Sequence, residues 1–358
     1  MNTTKRLLTA AGLAILVGTA GVQAGQCVPE DPATCQTTEC GSVPPPCPNG
    51  TLPAESTRAH VIYQLKNNLS ACLADGGCAD PRASCELNTA THHKQCNLRL
   101  EGDLYTPSGA GPFPAVLLNH GSSKCGDSNP ACPHTPESFA TVKSTLLAAG
   151  YVVFEPNRRG YQPSTGLYID DLVARQIHDG LPCALGTTVP FQVCSTADLV
   201  DEAKRDVRAA FNYLAARPKV NPAKIAVMGH SLGGIVTVEY NSLFSEHKAA
   251  VTIAPGSESW CGNCALQESL IGASQNAKAP LFLAEPHNDV DRDPVIELGF
   301  GAGVTGHQYQ STIFPNVIEG GVVLTCGADA HVCFARDPKY VSSWMVGVLD
   351  FLKRCGVK

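Results

Sequence analysis

One serine in a glycine-framed turn is the residue whose surroundings most directly suggest chemistry. The sequence Gly229-His230-Ser231-Leu232-Gly233 follows an apolar run at residues 224–228 and precedes a helical pattern at residues 235–244. A strand, a sharp turn and a helix in this order hold a serine hydroxyl above the edge of a sheet, next to a helix N-terminus. The pattern predicts that Ser231 is a nucleophile.

A serine nucleophile needs two partners, because its hydroxyl is activated by a base and the base is oriented by a carboxylate. When the serine sits in such a turn, the acid follows it in the chain and the histidine comes last. Asp289 directly follows the apolar run at residues 281–285 and is predicted to be the acid. Its local rivals are Asp291, Asp293 and Glu285.

The predicted base is His331, which lies in the loop before the last predicted helix. His307 precedes the last predicted strand, at residues 311–314, and is therefore in the wrong place. Cys326 and Cys333 flank His331, and a disulfide between them would restrict this loop. A restricted loop suits a base that must keep its geometry.

The negatively charged oxygen of an acyl-transfer intermediate requires backbone N–H donors. One is expected from Leu232, directly after the nucleophile. The second is expected from the loop after the first parallel strand, at residues 119–123, and position assigns it to Ser122. His120 is expected to brace this loop and to take no part in the chemistry.

Strands and helices alternate through most of the chain. Residues 97–105 alternate between apolar and polar side chains, as in a half-buried antiparallel strand. Amphipathic helices are predicted over residues 196–217 and from Pro338 to before Gly356, and a short helix near residues 60–73. Short apolar runs typical of buried strands lie at residues 115–119, 151–155, 224–228, 249–253, 281–285 and 311–314. The fold class predicted is α/β, with a mostly parallel sheet covered by helices on both faces.

Composition excludes several classes of protein. The chain has 358 residues, of which 44% are hydrophobic and 16% charged, so it is not a disordered chain. Its formal net charge is −6, without a run of Lys or Arg, which argues against a nucleic-acid partner. No cofactor is predicted. No metal is predicted either, because Cys261-x-x-Cys264 has no second closely spaced pair of the kind that structural zinc needs.

The N-terminus predicts export. Lys5 and Arg6 precede an apolar run at residues 7–22 that ends in Val-Gln-Ala, as in a secretory signal peptide over residues 1–24. No other segment is long and apolar enough to cross a bilayer, so stable membrane insertion is not expected. The predicted localisation is secreted or periplasmic.

In an exported protein, the 17 cysteines are expected to form disulfides. Eight of them fall at residues 27–96, which predicts a disulfide-rich N-terminal annex over residues 25–95 and a catalytic domain over residues 96–358. The later cysteines suggest the local pairs Cys125/Cys132, Cys183/Cys194, Cys261/Cys264 and Cys326/Cys333. Cys355 is left either free or paired with the N-terminal set. An insertion at residues 163–194 is either a flap over the site or a solvent loop.

The sequence resembles the α/β-hydrolase superfamily and, within it, the dienelactone hydrolase-like group, over residues 97–357. The resemblance rests on Leu104-Tyr105-x-Pro107, Asn119-His120-Gly121-Ser122, Arg159-Gly160, the turn around Ser231, and His331. It implies an α/β-hydrolase fold with catalytic Ser231, Asp289 and His331. Dienelactone hydrolases proper use a cysteine nucleophile where this chain has Ser231, so lactone hydrolysis is not carried over.

The predicted function is that of a secreted serine hydrolase that cleaves a small-molecule or polymeric carboxylic ester through an acyl-enzyme. One alternative is a serine peptidase of the oligopeptidase type, although such enzymes usually carry a propeller or a long N-terminal domain, for which the cysteine-rich residues 25–95 are a poor substitute. Another is a non-catalytic binding protein that kept the fold.

Overall fold

A computed structural model describes residues 56–67, 84–88, 93–122, 139–170, 172–173, 191–315, 318–319, 322–323 and 330–358. Its centre is a nine-stranded sheet. In chain order the strands are β1 (Thr57–Asn67), β2 (Ser84–Asn88), β3 (His93–Thr106), β4 (Phe113–Asn119), β5 (Val152–Asn157), β6 (Val220–His230), β7 (Ala249–Ile253), β8 (Leu281–Pro286) and β9 (Tyr309–Phe314). A separate hairpin pairs β10 (Ile318–Glu319) with β11 (Val322–Val323).

Helices cover the sheet. In chain order they are α1 (Ala140–Ala148), α2 (Phe191–Glu202), α3 (Arg208–Ala215), α4 (Leu232–Leu243), α5 (Cys264–Gln275), α6 (Asp293–Val304), α7 (His331–Arg336) and α8 (Pro338–Arg354). A π-helical turn, Ala203–Val207, joins α2 to α3, so the single helix predicted over residues 196–217 is divided by a wider turn.

The strand order β1-β3-β5-β4-β6-β7-β8-β9 contains one reversal that locates the site. β4 through β9 are parallel, whereas β1, β2 and β3 are antiparallel additions at one edge. The chain leaves β4 to form β5 on one side and later returns to form β6 on the other. In open α/β sheets, such a switch point opens a crevice at the carboxyl ends of the strands.

Strands β4, β5, β7 and β8 are largely buried on both faces, as their uninterrupted apolar runs predicted, whereas the edge strand β9 is only partly buried. Along β4, Val116 and Leu118 pack with Trp344 of α8, whereas Leu117 packs with Phe211 of α3 on the opposite face. Successive side chains of a strand point to opposite faces, so both faces must carry apolar residues when both are covered. The mostly parallel α/β architecture is confirmed.

The sheet begins earlier than the sequence suggested. Residues 57–67 form β1, so the helix predicted near residues 60–73 is wrong over its described part. β1 pairs antiparallel with β3 along its whole length. The cross-strand contacts include an ion pair of 2.7 Å between Arg58 and Asp103 and a contact of 2.5 Å between His60 and Glu101. These partners are distant in sequence, so local periodicity could not reveal them.

A separate annex over residues 25–95 is not supported by the part of the chain that the structure describes. β1 and β2 belong to the central sheet, and the expected boundary before residue 96 falls within β3. The predicted signal peptide and most of the N-terminal cysteines lie outside the described residues.

The cysteines follow the expected pairing only in part. Cys194, Cys261 and Cys333 are disulfide-bonded, whereas Cys264 and Cys355 are free thiols. The predicted Cys261/Cys264 pair is therefore wrong. Cys183 and Cys326, the predicted partners of Cys194 and Cys333, lie outside the described residues, as does the pair Cys125/Cys132, so these three pairings stay predictions.

Among the described helices, none is both long and apolar enough to cross a bilayer.

Glu239 is a buried carboxyl group on α4, in the packing layer between α4 and α5. The Ser269 hydroxyl donates to its Oε1 at 2.6 Å. Burial raises the pKa of Glu239 from 4.5 to about 7, although this hydrogen bond opposes the rise. The folded protein therefore keeps a proton on Glu239 at pH values where the unfolded chain has lost it.

We predict that Glu239→Gln stabilises the protein above neutral pH. Because the pKa of Glu239 is higher in the folded state, the wild type loses stability as pH rises from 4.5 to about 7. Glutamine has no proton to lose, so the gain in unfolding free energy should reach roughly 3 kcal/mol at pH 8 and vanish near pH 4. Urea denaturation at both pH values measures it.

The control is Glu268→Gln, which neutralises an exposed carboxylate on α5. It should change the unfolding free energy by less than about 0.5 kcal/mol at either pH. An equal effect of Glu239→Gln at pH 4 and pH 8 would contradict the assignment of the slope to this carboxyl group.

Candidate active site

Ser231 occupies a strained turn between β6 and α4. Its backbone has φ 53° and ψ −123°, a conformation that costs a non-glycine residue about 1–3 kcal/mol. Glycines on both sides allow the turn to be this tight. A Cβ on Gly229 would lie 2.1 Å from the Gly233 carbonyl oxygen, and one on Gly233 would lie 2.2 Å from the Asn119 carbonyl oxygen. The predicted strand, turn and helix are all present.

Side-chain and backbone hydrogen bonds fix the turn to neighbouring strands. The Ser231 N–H donates to the Ile253 carbonyl at the end of β7, at 2.9 Å. The Asn119 side chain, at the end of β4, donates to the Thr237 hydroxyl at 3.0 Å, and that hydroxyl donates to the Gly233 carbonyl at 2.8 Å. The first turn of α4 is thus bonded to the strands on both sides of β6.

Asp289 and His331 form a hydrogen-bonded pair. His331 Nδ1 lies 3.0 Å from Asp289 Oδ2 and 3.1 Å from Oδ1, and both side chains are buried. Burial alone would raise the pKa of Asp289, but the charge and hydrogen bond of His331, with hydrogen bonds from Glu285 and the Val290 N–H, lower it below its usual value. These contacts favour the ionised form of Asp289. Of the predicted acids, it is the one that the structure brings to Nδ1 of His331.

His331 lies beside the strained turn. The His230 ring, adjacent to Ser231 in the chain, packs 4.8 Å from the His331 ring between centroids, and its Nε2 donates to the His331 carbonyl at 3.0 Å. Within the described residues, the Ser231 hydroxyl does not donate a hydrogen bond to His331 Nε2. Catalytic hydrogen bonds are often long without substrate and shorten in the reactive complex.

The two predicted oxyanion donors face the same cavity of about 280 Å³, which is lined by Ser122, Ser231 and Leu232 among others. Leu232 is the first residue of α4, so its N–H has no carbonyl partner within the helix. Ser122 follows β4, directly across from the turn.

His120 braces the loop that carries Ser122, as predicted from its position. The Arg158 backbone N–H donates to His120 Nε2 at 3.4 Å, which leaves Nδ1 to donate to the Gly121 carbonyl at 2.8 Å. The Arg158 guanidinium donates to the His120 carbonyl at 2.8 Å. Arg158 therefore contacts the loop through both its backbone and its side chain.

Buried ion pairs hold Arg158 and Arg159 in turn. Arg158 Nε donates to Glu202 at 2.9 Å, and Arg159 Nε donates to Asp206 at 2.9 Å. Glu202 directly precedes the π-helical turn and Asp206 lies within it, and both acids are buried. Burial raises the pKa of Glu202, and the positive charge of Arg158 opposes the rise. The sequence pattern does not predict this network, although it contains the Arg159-Gly160 turn.

The cavity is lined by both polar and apolar side chains. Tyr168 and Gln192, from the two ends of the predicted insertion at residues 163–194, both contribute to its wall. Among the described lining residues, the charged ones are Asp170 and Glu258. Glu258 Oε2 lies 3.9 Å from His331 Nε2. The cavity that Ser231 faces is therefore acidic.

One group of side chains has the composition of a metal site. Glu285, Asp289 and His331 each offer one ligand atom, and these atoms lie within 4.8 Å of one another. Two of these side chains already accept hydrogen bonds, because Asp289 accepts from His331 and Glu285 Oε1 accepts from Ser257. Their proximity is accounted for by hydrogen bonds.

Comparison with known proteins identifies the family of this chain. A model described as the dienelactone hydrolase family matches residues 100–317, which is more than half of the chain. The chain belongs to the dienelactone hydrolase family. The match includes Ser122, Ser231, Leu232 and Asp289 and ends before His331.

Curated relatives of this family member match over a short segment. Cutinase 2 of Thermobifida cellulosilytica is 30% identical over 96 residues, covering 25% of this chain and 36% of that protein. A cutinase of Thermobifida fusca is also 30% identical over 96 residues, covering 25% of this chain and 30% of that protein. The chain thus aligns with about a third of each relative's length.

Solved structures show weaker similarity. An esterase of Pyrococcus furiosus is 16% identical with a TM-score of 0.45, covering 76% of this chain and 90% of that one. The acylaminoacyl peptidase of Pyrococcus horikoshii is 15% identical with a TM-score of 0.46, covering 71% of this chain and 39% of that one. Similarity at this level carries no information about the reaction.

We predict that Gly233→Ala disrupts this family member's site. The added Cβ would lie 2.2 Å from the Asn119 carbonyl oxygen and 2.4 Å from the His120 carbonyl oxygen, so α4 and the Ser122 loop would have to separate. Overpacking against backbone should cost about 3 kcal/mol or more of unfolding free energy. Urea denaturation measures the loss.

Gly272→Ala is the matched control, because Gly272 lies within α5 with nothing inside 4 Å of an added Cβ. It should be neutral or stabilising by up to about 1 kcal/mol. Equal stability of the two variants would show that the contact between α4 and the end of β4 is not as tight as described.

Proposed function

We propose that this member of the dienelactone hydrolase family is a serine hydrolase that cleaves carboxylic esters with Ser231, His331 and Asp289. One observation carries the proposal: a buried, hydrogen-bonded Asp289–His331 pair lies next to a serine held at a strained, glycine-framed turn. A base oriented by a carboxylate beside a serine of this kind is the arrangement that nucleophilic catalysis requires.

Acylation begins when Ser231 Oγ attacks the ester carbonyl carbon. His331 Nε2 takes the hydroxyl proton as the Oγ–C bond forms, and the carbonyl oxygen becomes an oxyanion. The Leu232 and Ser122 N–H groups donate to that oxygen. The carbonyl then re-forms, the C–O bond to the alcohol breaks, and His331 returns the proton to the leaving alcohol.

Deacylation repeats these steps with water. His331 takes a proton from water, the resulting hydroxide attacks the acyl carbon, and Ser231 Oγ leaves with the proton that His331 returns. The product is the free carboxylic acid. Asp289 stays ionised throughout, which holds the imidazole with Nδ1–H directed at its carboxylate and stabilises the imidazolium.

An ester, small or polymeric, is the substrate class proposed. The segment shared with two cutinases is in keeping with it. Export is proposed on two grounds: the charged, apolar and small-residue pattern over residues 1–24, and the disulfide-bonded state of Cys194, Cys261 and Cys333.

We predict that Ser231→Ala lowers kcat for p-nitrophenyl butyrate by at least ~10³-fold, because the variant has no nucleophile. His331→Ala should have a similar effect. His307→Ala is its control, since His307 bonds to the Gln275 carbonyl, away from the cavity, and it should keep near-normal turnover.

Three results would exclude or redirect the proposal. Near-normal ester turnover by Ser231→Ala would exclude it. Faster hydrolysis of aminoacyl anilides than of matched esters would favour a peptidase, and failure of the folded wild type to react with a fluorophosphonate probe would favour a non-catalytic protein.

The acidic cavity predicts a preference against anionic acyl groups. Asp170 and Glu258 line it, so an acyl chain ending in a carboxylate should be disfavoured by about tenfold in kcat/KM relative to a neutral chain of equal length. Glu258→Gln should reduce this difference in kcat/KM between the neutral and the anionic chain. An unchanged ratio in this variant, with activity retained, would show that Glu258 does not face the bound acyl group.

A further inference from the structure

Glu285 is a buried carboxyl group that the proposed mechanism does not use. It lies near the end of β8, four residues before Asp289, and its exposed fraction is 0%. The Ser257 hydroxyl donates to its Oε1 at 2.7 Å. A carboxyl group sealed from water this completely needs a partner for its second oxygen as well.

That partner is Asp289. A carboxyl oxygen of Glu285 lies within 4.8 Å of one of Asp289, and each group shifts the pKa of the other as a side-chain hydrogen-bond partner. Two carboxyl groups can share a hydrogen bond only when one of them holds a proton, because ionised carboxylates are acceptors alone. In the part of the chain that the structure describes, no N–H or O–H donor reaches Oε2 of Glu285. Oε2 is therefore the oxygen placed to carry the proton and donate it.

The surroundings assign that proton to Glu285. Asp289 has His331 and the Val290 N–H as donors, which favour its ionised form. Two acidic side chains, Asp289 and Asp291, face Glu285, and His331 lies on the far side of Asp289. On the neighbouring strand, its paired residue is the apolar Ile313. Burial, followed by the negative charge of Asp289, raises the pKa of Glu285 well above its ordinary value.

We propose that Glu285 is a protonated positioning residue at neutral pH, donating to Asp289 in a chain that runs Ser257–Glu285–Asp289–His331. This inference rests on the proposed function, since Asp289 matters only if it orients a catalytic histidine. Glu285 fixes the rotation of the Asp289 carboxylate and withdraws part of its negative charge. Both effects reach Ser231 only through His331.

The structure favours this role over an ionised Glu285 that binds a metal with Asp289 and His331. A metal would have to displace the Ser257 hydrogen bond or the His331 hydrogen bond, or else use Oε2 alone. Without a metal, an ionised Glu285 would place two adjacent negative charges in a site sealed from water, with one histidine to balance them.

The test compares Glu285→Gln with Glu285→Ala in the full chain. Glutamine can donate to Asp289 and accept from Ser257. The kcat of this variant should therefore stay within about threefold of wild type, and the acidic limb of its kcat/KM profile should not shift in pH. Alanine removes the donor, so kcat should fall about tenfold to a hundredfold with little change in KM. The acidic limb should also move to higher pH, because Asp289 then attracts the imidazolium proton more strongly.

Infrared difference spectroscopy gives a readout that does not depend on activity. Wild type minus Glu285→Gln at pH 7 should show the C=O stretch of a protonated carboxylic acid. Asp291→Asn, which removes a nearby carboxylate outside the chain of hydrogen bonds, should leave that band in place. If Glu285→Ala fails to fold, the glutamine variant and the infrared band still decide the question.

Three results would overturn the proposal: absence of the acid band in folded wild type, a fall of the acidic limb to lower pH in Glu285→Gln, or activity that depends on added Zn²⁺ and is lost with a chelator. The first two would mean that Glu285 is ionised, and the third that it binds metal. Failure of the proposed function has a different signature, namely full activity of Ser231→Ala whatever the state of Glu285.

Discussion

The first turn of α4 lies directly against the ends of β4 and β6, and the geometry of the site is set by that contact. No side chain fits between Gly233 and the Asn119 carbonyl, or between Gly229 and the Gly233 carbonyl. The close approach forces the chain at Ser231 into a strained conformation and directs it above the sheet. It also puts the Leu232 N–H next to the Ser122 loop. The proposed nucleophile and the proposed pair of oxyanion donors are thus brought together by one packing constraint.

Buried ion pairs hold the loop that carries Ser122 in position beside that turn. The Arg158 guanidinium donates both to the His120 carbonyl and to Glu202. The Arg159 backbone N–H, in the loop after β5, donates to Asp206. Removing one member of such a pair would leave a buried charge without compensation, which costs more than the pair itself contributes. These ion pairs therefore connect the Ser122 loop to the helical layer of α2 and α3, which covers the face of the sheet away from α8.

Much of this could be predicted from sequence because it depends on local patterns. Short apolar runs predict buried strands such as β7. Two glycines four residues apart indicate the sharp turn at Ser231. β1 could not be found in that way, because its polar residues pair with Asp103 and Glu101 of β3. The failure of the Cys261/Cys264 pair has the same origin, since disulfide partners are chosen by tertiary proximity.

The same limit explains why the sequence leaves Glu285 as a rival of Asp289 for the role of the acid. Sequence places both acids at the end of β8 but does not reveal which one meets a donor. Asp289 lies on the loop, within reach of His331 and of the Val290 N–H, and these donors outweigh the effect of burial on its pKa.

Glu285 lies four residues earlier, inside the strand end, where its surroundings supply one hydroxyl and a neighbouring carboxylate. Asp289 is ionised and Glu285 is protonated because more hydrogen-bond donors reach Asp289 than reach Glu285. Keeping the protonated acid buried makes folding less favourable as pH rises, because the unfolded chain releases that proton at a lower pH. Such a cost is tolerable where the neutral acid orients the charged one, and this gives the end of β8 a reason to carry two acids and not one.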